Sequence, residues 1–177
     1  MIAIMEQLHQ MQLTFAPEED RLLFRVNTAG GRQRAEFRFW FTRRYAKLLW
    51  MALMNMLERR QPREKFKDEI AQTQALAQEH QKALQQADFQ TQYEESAVFP
   101  LGEVPILLSR VTLKENERGE QILCMHPTQG QGLELGLNDQ ILHSFCKLLA
   151  DSAKTAEWDL PFDFGRAEDL IARRGLN

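Results

Sequence analysis

The chain has 177 residues, 44% hydrophobic and 27% charged, with a formal net charge of −3. This is an ordinary globular composition, long enough for one domain or for two small units sharing a core. No stretch approaches the roughly 20 apolar residues of a membrane helix, and Met1-Ile2-Ala3-Ile4-Met5-Glu6-Gln7 lacks the basic start and apolar run of a secretory leader.

Alternation marks a first strand at Met11, Leu13 and Phe15, broken by Ala16-Pro17-Glu18-Glu19-Asp20. A second strand alternates Leu22, Phe24 and Val26 with Leu23, Arg25 and Asn27. Gly30 and Gly31 then mark a hairpin connection, because paired glycines supply positive φ. The third strand, 36–41, places Phe37, Phe39 and Phe41 on one face. Thr42 suits an N-cap, and Tyr45, Leu48, Leu49, Ala52, Leu53, Met56 and Leu57 form the apolar stripe of the helix that follows. Pro62 ends or restarts that helix. A second helix, about 63–88, is rich in Gln, Ala, Lys and Glu. Its coarse 3.5-residue seam is Phe66, Ile70, Thr73, Ala77, His80 and Leu84, so it crosses between units, lies on the surface, or pairs with its copy in a homodimer.

The second half repeats the plan. Leu107, Ser109, Val111 and Leu113 alternate as a strand, Glu117-Arg118-Gly119-Glu120 turns, and 122–126 is the next strand. Residues 133–137 close the sheet, Asn138 caps, and Ile141, Leu142, Phe145, Leu148 and Leu149 stripe the last major helix. An offset of 96 relates Tyr45 to Ile141, Leu49 to Phe145 and Leu53 to Leu149, and Val111-Thr112-Leu113 resembles Leu13-Thr14-Phe15. The expected fold is therefore α+β: two β-β-β-α repeats packed as one body, joined by a long polar helix. Its parts are a first repeat over 1–60, the connecting helix over 61–98, and a second repeat over 99–177 with an aromatic tail, including a short helical piece at 166–174. Units of about 45 residues are near the limit of independent stability and should share a core. Cys124 and Cys146 lie in apolar segments, which suggests buried reduced thiols and a cytoplasmic location.

No motif names a reaction. Histidines 9, 80, 126 and 143 are scattered, and Cys124-Met125-His126 falls short of the three or four ligands of a zinc site. The glycines sit in hairpins, not between a strand and a helix N-terminus where phosphate loops occur. The expectation is a binding protein without catalysis or cofactor.

The charge distribution supplies the functional clue. Residues 21–67 carry 13 Lys/Arg against 3 acidic residues, and the remainder carries 9 against 22. Such segregation implies either a polyanion-binding face or two halves that attract one another. With the three phenylalanines inward, Glu36, Arg38 and Trp40 point outward, as do Leu23, Arg25 and Asn27. Arg25, Arg38 and Trp40, followed by Arg43, Arg44 and Lys47 at the helix start and flanked by Arg32 and Arg34, offer cations for a backbone and a ring for a base. Single-stranded DNA or RNA requires that combination. The other reading packs this face against the polar helix or a dimer partner and makes the protein an adaptor or scaffold, dimerising through the 63–88 helix.

Duplicated strand-rich units each closed by a helix resemble the Whirly and Pur-alpha class of single-stranded nucleic-acid-binding folds, over residues 11–57 and 107–150. That class has four strands per unit; three are read here. The tail segment Trp158-Asp159-Leu160-Pro161-Phe162-Asp163-Phe164 is similar to the acidic, Pro-Phe-containing tip with which bacterial single-strand-binding proteins recruit partners. The other expectation for these aromatics is docking on the protein's own core.

Overall fold

A computed structural model describes residues 1–4, 8–29, 33–61 and 68–164. The glycine hairpin at 30–32, Pro62, the start of the polar helix at 63–67 with Phe66, and the expected helical piece at 166–174 lie outside the described residues.

The first unit consists of β2 (Leu8–Ala16), β3 (Arg21–Thr28), β4 (Glu36–Phe41) and helix α1 (Arg43–Arg60); β1 (Ile2–Ile4) precedes it. Helix α2 (Glu69–Gln86) leads to β5 (Ile106–Glu115), β6 (Gln121–Pro127), β7 (Leu133–Gly136) and helix α3 (Asp139–Thr155). Each unit is an antiparallel meander closed by a helix, and the two are joined in parallel through Phe39–Ile106 and Trp40–Leu107. The result is one seven-stranded sheet of order β1-β7-β6-β5-β4-β3-β2.

The expected duplication is present. Phe39 and Leu135 are both fully buried on the inner sheet face. Thr42 Oγ1 accepts from the Tyr45 amide at 3.1 Å, and Asn138 Oδ1 accepts from the Ile141 amide at 2.8 Å, so both helices start on the same cap chemistry. One detail of the alignment changes. Leu13 opposes Phe24, which opposes Phe39; Leu113 opposes Leu123, which opposes Leu135. Leu13 is thus the counterpart of Leu113, not of Val111. The strand connections differ in length, so the constant 96-residue offset holds only from the closing strand onward.

Residues 2–4 form a strand that sequence patterning did not mark, because three residues are too few to show alternation. Ile4 pairs with Leu135 in parallel, as Ile106 pairs with Phe39. The N-terminal strand therefore occupies in the second unit the position that β5 occupies in the first. It also forces curvature. At about 4.8 Å per strand, opposite edges of a flat seven-stranded sheet lie roughly 29 Å apart. Yet edge strands β1 and β2 are joined by residues 5–7 alone, a reach of at most about 15 Å. The sheet must coil, and accordingly α3 packs against β2 as well as α1.

Both helices cover the phenylalanine face. Phe145 of α3 stacks on Phe24 at 5.1 Å, Phe24 meets Phe41 at 5.1 Å, and Phe41 meets Tyr45 of α1 at 5.0 Å. This aromatic chain ties the two units into one core. Helix α2 packs on α3 with Leu76 as its one buried side chain among the described residues. Cys124 and Cys146 are free and buried. No described helix is long and apolar enough to cross a membrane.

The tail docks on its own chain. Trp158 is buried, its Nε1 donates to Asp20 Oδ1 at 2.9 Å, and its ring meets Phe15 edge-on. Phe162 stacks on Trp50 at 4.8 Å, and Phe164 stacks on His80 at 3.9 Å. His80 and His143 face each other through Nδ1 atoms 3.0 Å apart. Burial, then His143 and Lys147, lower the His80 imidazole to about 4 against the opposing pull of Asp151. Burial also lowers His143, opposed by Asp139 and Glu79 and reinforced by Arg60. Folding thus favours the neutral rings. The stability they contribute is complete above the unfolded value near 6.5 and declines as pH falls from there toward 4. The melting temperature should drop across that window, and the drop should flatten in His80→Phe. Identical pH profiles for the two proteins would show that the pair is hydrated in solution.

Candidate nucleic-acid interface

The outward face of the first unit divides into two rows with different fates. Cross-strand register aligns Thr14, Leu23, Trp40 and Leu107 across four strands. None of the four is buried: Trp40 and Leu23 are half-buried, Thr14 and Leu107 exposed. Trp40 therefore presents part of its ring to solvent, less than strand alternation alone suggested, because Leu23 and Leu107 flank it in the row.

Three residues past Trp40, α1 begins. Arg43, Arg44 and Lys47 are all exposed, and the first turn contains no acidic residue. None of the three has an ion-pair partner among the described residues. This arrangement opposes the helix macrodipole, whose positive end favours anions and disfavours each cation by about 0.3–1 kcal/mol. Leu48 and Met51 continue the exposed stripe up the helix, Met51 at 68% exposure. These cations thus open the helix that follows the strand of Trp40, with α1 over the inner sheet face and Trp40 on the outward one.

The other row corrects the expectation. Gln12, Arg25 and Arg38 align one step away, and Arg25 lies directly opposite Arg38. Like charges in that relation repel, and the neutralising group is Glu36, which is fully buried rather than outward and solvated. Glu36 Oε1 accepts from Nε of Arg25 at 2.9 Å and from Nε of Arg38 at 2.7 Å. Burial pushes the Glu36 carboxyl up, but hydrogen bonds from Arg25 and Arg38 and their charges outweigh it and hold it below its ordinary range. The cover over this row is the strap between α2 and β5. The Tyr93 ring lies 4.4 Å from the Arg25 guanidinium, and the Phe99 ring 4.5 Å from that of Arg38. Asn27 Nδ2 donates to the Glu94 carbonyl at 3.0 Å, and the Ser96 amide donates to Glu36 Oε2 at 3.3 Å. Neither the polar helix nor a second chain is needed to cover this half of the face.

Part of the segregated charge is used internally. Arg34 pairs with Glu94, Arg25 with Glu95, Arg59 with Glu115 and Arg60 with Asp139, each joining the basic window to the acidic remainder. Of the six expected site residues, Arg43, Arg44 and Lys47 are exposed and Trp40 is half-buried, while Arg25 and Arg38 lie under the strap. Arg32 lies outside the described residues. Sequence reasoning missed Glu36 as the counter-ion, although two arginines on facing strands signal the need for one. It also missed Tyr93 and Phe99, for which the local sequence carries no periodic signal.

On the second unit's outward face, His126 Nε2 and Thr112 Oγ1 are 2.8 Å apart, and Lys114 Nζ donates to Glu134 at 2.5 Å. Burial raises the Cys124 thiol, with the Glu134 charge next in effect, so it is poorly suited to act as a nucleophile. Among the described residues no group of three or more His, Cys, Asp or Glu is placed to hold a metal. A cleft of about 1150 Å³ lies elsewhere, between the C-terminal end of α1 and the start of α3. Its Arg60 is bonded to Asp139 and to the Leu137 carbonyl, both at 2.7 Å, so its charge serves the fold.

No family model, no curated protein and no solved structure matches this chain.

Proposed function

We propose that the protein binds single-stranded nucleic acid along the rim formed by the Trp40 row and the start of α1. The observation that carries this reading is the cationic first turn: Arg43, Arg44 and Lys47 are exposed at the positive end of a helix, with no ion-pair partner among the described residues, just after a half-buried tryptophan in the chain. A phosphate backbone would meet both the side-chain cations and the helix N-terminus. A base would stack on Trp40, with Leu23 and Leu107 extending the platform.

Anisotropy of labelled oligothymidylate and oligouridylate at low and moderate salt tests it. Arg44→Glu with Lys47→Glu should weaken binding by roughly tenfold or more at low salt, with the difference shrinking as salt rises. Trp40→Ala should cost about 1–3 kcal/mol of binding, and this loss should persist at moderate salt. Because the ring is half-buried, the same variant also loses some thermal stability, so melting must be measured alongside. Oligonucleotide binding absent at low salt, or unchanged in both variants, would reject the rim and favour an adaptor that engages a protein partner.

A further inference from the structure

The strap over the first unit is an unusual cover. Between Leu76 and Leu108 no residue is buried, so the segment anchors itself with half-exposed side chains and backbone hydrogen bonds. Beneath it the floor is polar: Asn27 and Glu36 are fully buried, with Arg25 and Arg38 alongside. Lifting such a cover hydrates polar groups and exposes little apolar surface, so the opening belongs to the low-cost end of local motions.

The contacts the strap makes have a recognisable chemistry. Aromatic rings lie on two guanidinium planes, Tyr93 on Arg25 and Phe99 on Arg38. Carboxylates meet guanidinium groups, Glu95 with Arg25 at 3.6 Å and Glu94 with Arg34. Rings on guanidinium faces and anions on guanidinium edges are what the bases and phosphates of a single strand provide. Glu36 accepts from Nε of both arginines, which fixes their planes as shelves before anything stacks on them. This floor also continues the rim: Arg38 and Trp40 are two residues apart on one strand and share its outward face.

We infer that Arg25, Arg38, Arg34 and Gln12 form a second single-strand-binding surface, occupied here by residues 93–99 acting as an internal mimic of the ligand. The inference rests on the reading above for the class of ligand. A strand seated at Trp40 would extend onto the arginine row by displacing the strap.

The test uses the full chain and labelled oligothymidylate. Two strap variants remove the mimicry separately: Glu94→Gln with Glu95→Gln removes the carboxylates, and Tyr93→Ala with Phe99→Ala removes the rings. All four side chains lie outside the buried core, and circular dichroism confirms the fold. Each variant should bind oligothymidylate several-fold to about tenfold more tightly than the natural chain, with a steeper salt dependence because more phosphates are contacted. Saturating oligothymidylate should also lower hydrogen-exchange protection at the Glu94 and Ser96 amides of the natural chain. If the natural chain binds through Arg44 and Lys47 but the strap variants bind no better, this inference fails and the rim reading stands. If the strap variants bind while binding by the natural chain is absent or indifferent to Arg44 and Lys47, the covered surface stands and the rim reading fails. No binding by any variant at low salt rejects both.

Discussion

Replacing Glu36 with alanine should destabilise the protein by about 3 kcal/mol or more, the range expected when a buried ion pair loses one partner. The carboxylate is fully buried and accepts from two arginines that face each other across β3 and β4. Without it, Arg25 and Arg38 would stand opposed at 13% and 24% side-chain exposure, with the exposed Glu95, 3.6 Å from Arg25, as the remaining counter-charge among the described residues. Glu36→Gln should lose less, since its amide oxygen in the place of Oε1 still accepts from both Nε donors and only the charge and the Oε2 acceptor are lost. The three groups should also be strongly coupled: Arg25→Met should cost much less in the Glu36→Ala background than alone. Urea unfolding followed by circular dichroism measures all four proteins. A loss below about 1 kcal/mol for Glu36→Ala would mean that the carboxylate is hydrated in solution and the strap open.

Phe145→Ala is the second large effect, at about 3–5 kcal/mol and a fall in melting temperature of roughly 10 °C. Phe145 is fully buried and begins the aromatic chain that runs through Phe24 and Phe41 to Tyr45. It belongs to the second unit, and the ring it stacks on belongs to the first, so truncation removes contact where the units meet. The loss should exceed that of Leu49→Ala, its counterpart in the first helix, because more ring surface and a stacked pair disappear together. Tryptophan fluorescence and circular dichroism should still report one transition if the units remain a single cooperative body. Two separated transitions would show that Phe145 was the main coupling between them. A loss no larger than that of Leu49→Ala would show that the core repacks around the space.

Much of the architecture was legible because it is local. Period-two alternation at Leu22, Phe24 and Val26, and in Phe37, Phe39 and Phe41, identifies strands with one buried face, and all six residues are buried. Thr42 and Asn138 were readable as caps because an N-cap depends only on a side-chain oxygen and the amide three residues on. The duplication could be read because both closing strands run straight into their helices at constant spacing. The cations of the rim were legible for the same reason, since Arg43, Arg44 and Lys47 follow the cap in sequence.

Other features depend on long-range contacts. Residues 2–4 become a strand only because Leu133, Glu134 and Leu135 lie alongside them. Alternation correctly put Glu36 on the outward side of β4, but alternation says nothing about what lies over that side. The strap, some 60 residues later in the chain, turns an outward carboxylate into a buried one and closes half of the basic face. The tail aromatics, equally suited by composition to a partner's groove, find Trp50 and His80 on their own chain. By itself the sequence determined two β-β-β-α units, their inward faces and a cluster of cations where α1 begins, because short-range periodicity and capping suffice for each. Tertiary structure alone decided which cations of the basic stretch stay exposed and which are covered, because burial and ion pairing are set by segments that meet only after the chain has folded.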